Sequence, residues 1–421
     1  MDWLYSHVPA EIWLQIRSYL DIQSPKASQL RVLRQHMLDL CLVCRYFRLL
    51  FQPVLFREIS FVDWTPILTA PVINRYRIHL LFRTILNNPV LGSYVEKIGI
   101  GEHLELFDYG KGSILRRYQI PDDNFDWLNA SELEKACMEL RSVLENRAPQ
   151  MLDYWIDELK KGSVDILTAL LLSRLKNLKT LKVILDLGRL PRLIPLMHLP
   201  SVQEISITRR SLVGNALKSD FIHDEFRHDG KLVDILLRAA PNIRNFELFS
   251  LHRRSEFSVP YFNPTELGRA LRHHDHSRIE ELSIKFYLPA ENMVEVTERL
   301  APIDCFKQWT GLKRLKIQLE ILLGMPSTSL RLSEVLPPKL EELQIFCNAL
   351  PMVRHVEPIW SELECLGQIR ELAMARNRPA ETYLRKVSII WPHWSPGSRE
   401  ELHQLKKDSN VELCLYEYDK L

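Results

Sequence analysis

The chain has 421 residues, 46% hydrophobic and 26% charged, the composition of a folded globular protein long enough for more than one core. Its 55 basic and 53 acidic side chains leave a formal charge of +2, so no whole-molecule field selects nucleic acid or a membrane surface. Seven cysteines scattered at 41, 44, 137, 305, 347, 365 and 414 read as small apolar residues in a reducing compartment, not as a disulfide framework.

The opening MDWLYSHVPAE has no basic stretch leading into an apolar core, so no signal peptide is expected. Residues 8–61 are the most legible part of the chain. Pro9 can occupy a first helical position, where its missing N–H costs nothing, and Glu11 falls in the first turn, where the helix dipole favours a carboxylate. Ile12, Ile16 and Leu20 then share one helical face, broadened by Trp13. A second helix is expected from an N-cap at Ser28, with Leu33, Met37, Leu40, Cys44, Phe47 and Phe51 forming one stripe and Pro53 ending it. Two such helices cannot close a core in so few residues, so another part of the chain or another protein must cover them.

These residues resemble an F-box: Val8-Pro9, Glu11-Ile12-Trp13, Ile16, Tyr19-Leu20, Leu42-Val43-Cys44-Arg45-Tyr46-Phe47-Arg48, Pro53 and Leu55-Phe56-Arg57-Glu58-Ile59. The form is similar to that of fungal proteins in which LFREI follows the box, with Val8 in place of the usual Leu and a longer gap between Leu20 and Leu42. The resemblance implies a helical hook, residues 1–60, that binds a Skp-type adaptor and through it a cullin. The implied contacts are Pro9, Ile12, Ile16, Leu20, Leu42, Val43, Phe47 and Leu50. The other reading is that the two helices only cap the domain that follows.

A hexad of apolar, two polar, apolar, any, apolar then recurs, from Phe56–Phe61 and Val95–Ile100 through Leu178–Val183, Val202–Ile207, Ile243–Leu248 and Ile279–Ile284. It continues in Leu312–Ile317, Leu340–Ile345, Ile369–Met374 and Leu384–Ile389, and Val411–Leu415 closes with plain alternation. The last three positions alternate as a short half-buried strand does. Helix-period segments separate several of them, at 232–240, 266–272, 293–300, 359–366 and 399–406. Strand, turn and returning helix, repeated, is the unit of a leucine-rich-repeat solenoid. The expected class is therefore α/β: an N-terminal helical F-box followed by an irregular leucine-rich-repeat solenoid over 61–421. An α/β layer fold has the same alternation.

Residues 102–174 interrupt the hexads and read as a helical insertion. Its first helix is expected to start at a capping box, Ser131 with Glu134, and a second helix carries Trp155, Ile156 and Leu159. Val164 to Leu175 is the most apolar run of the chain and is too short and too interrupted to span a bilayer. The expected location is the cytoplasm or the nucleus.

On each hexad strand the side chains beside the apolar ones face the other way. That row includes Phe249, Lys285, Lys316, Phe346 and Ile390, aromatic and aliphatic anchors in a mixed polar field. Such a row suits an unknown protein substrate better than DNA, unless flanking loops cover it. Arg209-Arg210 and Arg253-Arg254 lie just past two strands, where they read as solvated strand ends or, alternatively, as cations for a phosphorylated or acidic segment.

The sequence carries no recognisable catalytic or metal-binding motif. His273, His274 and His276 are crowded on one loop with Asp275, a spacing that rarely converges on a metal. Cys41 and Cys44 stand in an amphipathic helix without a second pair. His223 and His228 are five apart, on different faces of a helix, and Gly110-Lys-Gly-Ser113 lacks the spacing of a phosphate loop. The expectation is a binding protein with no catalytic residues, metal or cofactor, and neither nucleic acid nor membrane as partner.

Overall fold

The computed structural model describes residues 27–61, 73–101, 128–144, 152–161, 163–186, 198–211, 229–252, 264–274, 277–287, 302–303, 306–326, 330–347, 359–376, 383–391, 394–409 and 411–417. The chain is α/β, and every strand is parallel to the strand it pairs with. It divides into two compact units.

The first unit holds Met1–Pro66, Val72–Gly99 and Trp127–Lys179. Helices α1 (Ala27–Val43) and α2 (Arg45–Arg57) open its described part. One uninterrupted helix was expected here. Instead Cys44 is extended (φ −160°, ψ 168°) and its thiol accepts the Phe47 N–H at 3.4 Å, so it caps α2. Ser28 lies within α1 and is not its cap. Pro53 lies inside α2 and does not end it. Its missing N–H would have bonded the carbonyl of Leu49, a residue 61% exposed, where water can replace it. The buried stripe nonetheless survives the break: Met37 and Cys41 continue into Phe47, Phe51 and Val54.

Strand β1 (Glu58–Ser60) pairs with β2 (Lys97–Gly101), Ile59 opposite Ile98. Between them lie α3 (Ile73–Asn87) and α4 (Pro89–Tyr94), the latter beginning with proline as helix starts tolerate. Helices α5 (Ala130–Leu144), α6 (Leu152–Lys160) and α7 (Val164–Arg174) complete the unit. The capping box of α5 is two residues earlier than expected. Asn129 accepts the Glu132 N–H at 2.9 Å, and Glu132 accepts the Asn129 N–H at 2.9 Å. The shift has a reason in packing: Glu132 is buried, and its Oε1 also receives Arg83 and Asn87 of α3, each at 2.7 Å. Arg174 of α7 likewise reaches Glu139 of α5 at 2.6 Å and the Ile85 carbonyl at 3.2 Å. The helices expected as an insertion thus pack with α3, and the contacts do not divide the chain at residue 60.

The second unit holds Ile67–Pro71, Ile100–Asp126 and Thr180–Leu421. Its strands are β3 (Thr180–Asp186), β4 (Glu204–Ser211), β5 (Asn245–His252), β6 (Glu281–Tyr287), β7 (Arg314–Gln318), β8 (Glu342–Phe346), β9 (Lys386–Trp391) and β10 (Glu412–Glu417). They pair strictly in sequence order and in one register: Leu181, Ile205, Phe246, Leu282, Leu315, Leu343, Val387 and Leu413 line up across the sheet. All eight are buried, as are the next inward residues from Val183 to Ile389.

The first half of the hexad also has a structural cause. Its leading apolar residue closes a tight turn, as in Val202 N–H to Leu199, Ile243 to Ala240 and Leu312 to Trp309. The first polar residue extends the ladder sideways: the Arg244 carbonyl accepts the N–H groups of Glu280 and Glu281, and the Glu280 carbonyl those of Lys313 and Arg314.

One hexad is not a strand. Ile369 to Met374 lies inside α12 (Glu362–Arg376). Cys365, Leu366, Ile369, Leu372 and Ala373 are its buried stripe, and Met374 is exposed. Apolar residues three apart satisfy the hexad and the helix alike, and the neighbours at 365, 366 and 373 complete the helical period. The other helices are α8 (Asp229–Ala239), α9 (Pro264–Arg272), α10 (Leu319–Leu323), α11 (Leu332–Val335) and α13 (Pro396–Asp408). Successive helices pack on one another, α8 on α9, α11 on α12 and α12 on α13, as successive strands do. Gly230 permits the first of these contacts: a Cβ there would lie 2.5 Å from the Glu266 carbonyl carbon.

Where β7 passes into α10, the ladder to β6 stops at Ile317 opposite Ile284. The Gln318 side chain continues it. Its Oε1 accepts the Phe286 N–H at 2.7 Å and its Nε2 donates to the Phe286 carbonyl at 2.5 Å, all three groups buried. A side-chain amide thus replaces one backbone pair where the chain turns into a helix.

Candidate docking surfaces

The α1–α2 pair has two unlike faces. One is closed by the protein itself: Cys41, Phe47 and Phe51 form a buried cluster edged by Leu40, Cys44 and Leu50, with the Phe47 and Phe51 rings 5.7 Å apart. Burial pushes the Cys41 thiol up, against the pull of Arg48, so it is an apolar core group. The α2 side of this seam packs on α4.

The other face is open. Leu42 is 77% exposed and Val43 50%, and Leu38, Tyr46 and Leu49 are exposed beside them. Leu38, Leu42 and Val43 stand in the last turns of α1 and Tyr46 and Leu49 in the first turns of α2, either side of the extended Cys44, and within each helix the pairs Leu38–Leu42 and Tyr46–Leu49 are spaced to share a face. Arg45 and Arg48 stand exposed on the same corner, and Arg48 also reaches the Cys41 carbonyl at 3.4 Å. Isolated exposed leucines are ordinary; five large apolar residues exposed around one helix junction make it a candidate contact surface.

Of the residues expected to meet a partner, Leu42 and Val43 stand on this open corner and Leu50 is half-buried at its inner edge. Phe47 does not belong there. It is 8% exposed and packed on Phe51, so it supports the corner from within. Pro9, Ile12, Ile16 and Leu20 lie outside the described residues. Sequence periodicity missed Leu38, Tyr46 and Leu49, because it picks out the buried stripe and these three stand off it.

The second surface is the side of the β3–β10 sheet opposite the buried rows. Its row at the strand starts satisfies itself: Thr180 bonds Glu204 at 3.2 Å, Arg314 grips Glu281 at 2.9 and 3.0 Å, and Lys386 meets Glu412 at 3.5 Å. Burial would raise the Glu281 carboxyl, but Lys316 and Arg314 hold it below its ordinary range. The row above runs Lys182, Ser206, Glu247, Ser283, Lys316, Gln344 and Ser388. There Ser206 donates to Glu247 at 2.8 Å and Lys316 to Glu281 at 2.8 Å.

Farther along the strands come Phe249, Lys285, Phe346 and Ile390. Phe249 is half-buried. Phe346 and Ile390 were expected as exposed anchors, and the structure corrects this: they are 5% and 0% exposed and pack on each other as register neighbours. Lys285 lies over the Phe346 ring, its Nζ 4.3 Å from the centroid. Two adjacent apolar side chains on a sheet face withdraw from water together, and the lysine stem covers one of them. Arg209 and Arg210 lie within β4, not past its end, and 253–254 lie outside the described residues.

No group of three metal-ligating side chains occurs among the described residues. His274 faces Asp234 at 3.2 Å, and burial lowers its proton affinity. Cys347 and Cys365 are both buried, and burial with the neighbouring thiol pushes Cys347 well up, away from nucleophilic chemistry. No helix among the described residues is long and apolar enough to cross a membrane. No protein-family model matches the sequence, and no curated protein matches it.

Proposed function

We propose that the chain is the substrate-recognition subunit of an SCF-type cullin–RING ubiquitin ligase. The α1–α2 corner docks on a Skp-type adaptor, and the β3–β10 unit is an irregular leucine-rich-repeat solenoid that holds a protein substrate. The protein has no catalytic role of its own and needs no cofactor. It raises the effective concentration of substrate at the ligase, which does the chemistry. Such a complex works in the cytoplasm or nucleus.

The observation that carries this reading is the open corner of Leu38, Leu42, Val43, Tyr46 and Leu49 on a helical pair whose other face is closed. The F-box resemblance of the same segment supplies the partner's class. Strands in strict sequence order, several of them followed by helices that pack on the next helix along, support the solenoid.

The test is co-purification of the full chain with a Skp-type adaptor. The wild type should carry it stoichiometrically, and Leu42→Asp with Leu49→Asp should lose it without a change in melting temperature. Equal adaptor recovery from both proteins would refute docking at this corner. No recovery from either leaves a repeat scaffold independent of any ligase.

A further inference from the structure

The β3–β10 sheet face divides into groups that satisfy one another and groups that do not. Glu204, Glu281, Arg314, Lys386 and Glu412 are paired, and Lys316 is engaged by Glu281. Two groups on β6 are different. Ser283 is 4% exposed, and its hydroxyl has no hydrogen-bond partner among the described residues. Lys285, two positions along the same face, is half-buried and rests on the Phe346 ring, and it forms no ion pair among the described residues. Glu247, one strand away, accepts Ser206 instead.

A half-buried ammonium without a carboxylate is an unfinished arrangement. Burial costs its charge hydration, and a π face restores only part of that. A buried hydroxyl with no partner adds to the same deficit. Both groups lie on the same side of the sheet; Lys285 is the one that solvent reaches, and an anionic group placed against it supplies the missing counter-charge. Burial and the nearby Lys316 depress the lysine's proton affinity and Glu247 lifts it, as an ammonium still short of a full counter-charge requires.

We propose that the face around Lys285, Ser283 and Phe346 receives a carboxylate side chain of an acidic protein segment, with Lys285 as the anchoring cation. This rests on the reading of the β3–β10 face as the surface that holds a protein substrate. The occupant is a protein strand or loop rather than a nucleic acid, because the surrounding face mixes acidic with basic side chains, Glu247 and Glu281 beside Lys285 and Lys316, whereas a run of phosphates needs a row of cations.

The experiment is selection of a random dodecamer peptide library on the full chain, in parallel with Lys285→Met, Lys285→Arg and Lys182→Met. Lys182 is an exposed lysine on the same face and serves as the control. The wild type and Lys182→Met should enrich peptides carrying Asp or Glu at a fixed position. Lys285→Met should lose that preference and bind the selected peptides about tenfold to hundredfold more weakly, and Lys285→Arg should keep the preference. Peptides selected without acidic enrichment, or with enrichment that persists in Lys285→Met, would overturn this inference while leaving the face a protein-binding surface. Selection of no peptide by any of the four proteins would overturn both. Far-ultraviolet circular dichroism melts of each variant establish that the lysine changes leave the fold intact.

Discussion

Gln318 offers the sharpest test of how the sheet is built. It is 1% exposed, and its amide supplies both an acceptor and a donor to the buried backbone of Phe286. Gln318→Leu keeps the side chain's approximate length and leaves that N–H and carbonyl without partners. An unsatisfied buried polar group costs about 1–3 kcal/mol, so the pair should cost about 2–6 kcal/mol. The loss should appear locally as easier opening of the end of β6. Amide hydrogen exchange followed by mass spectrometry should show the segment covering residues 281–287 exchanging about thirtyfold faster or more, while 204–211 is unchanged. Gln318→Glu sharpens the test. A carboxylate still accepts the Phe286 N–H but meets the carbonyl without a proton to donate. Its folded pKa must therefore rise above the unfolded value. Protection should be fullest below the unfolded pKa, about 4.3, and fall as pH rises through the folded one. Exchange in Gln318→Leu within threefold of wild type would refute the claim that this side chain replaces a ladder pair.

Phe47→Ala should destabilise the first unit by about 3–5 kcal/mol because it empties a closed cluster, whereas Leu42→Ser should shift stability by less than about 0.5 kcal/mol; chemical denaturation separates them. Burial favours the neutral form of Glu132, yet Asn129, Asn87 and Arg83 hold its carboxyl below the ordinary range. Its contribution is therefore complete above the unfolded pKa and lost as pH falls through the lower folded value. Glu132→Ala should cost about 1–3 kcal/mol at neutral pH and little once acid has protonated the wild type, as read from melts across pH. Gly230→Ala should force α8 off α9 and lower the melting temperature of the second unit, because the new methyl meets backbone that cannot rotate away.

Strand positions were legible because two signals coincide in the hexad. The alternating half buries one face, and the leading half encodes the turn and sideways hydrogen bonds that start each strand. Ile369–Met374 misled because spacing by three suits a helix as well, and only the wider window from Cys365 to Ala373 separates the two. The α1–α2 break was not legible. Cys44 carries the stripe's period, and its role as a thiol N-cap depends on backbone geometry that periodicity does not encode. The open corner stands off the buried stripe, so Leu42 and Val43 were reached through family resemblance and Leu49 was not reached at all. Phe346 and Ile390 show the matching limit on sheets. Alternation assigns a side chain to a face, but neighbours such as Lys285 decide whether that face is wet.

The most direct measurement is amide hydrogen exchange of the full chain with and without a purified Skp-type adaptor. Docking at the α1–α2 corner predicts slowed exchange across residues 38–50 on addition of adaptor, and none across the strands from 204 to 417. Unchanged exchange at 38–50 with saturating adaptor, or protection confined to the sheet, would contradict it.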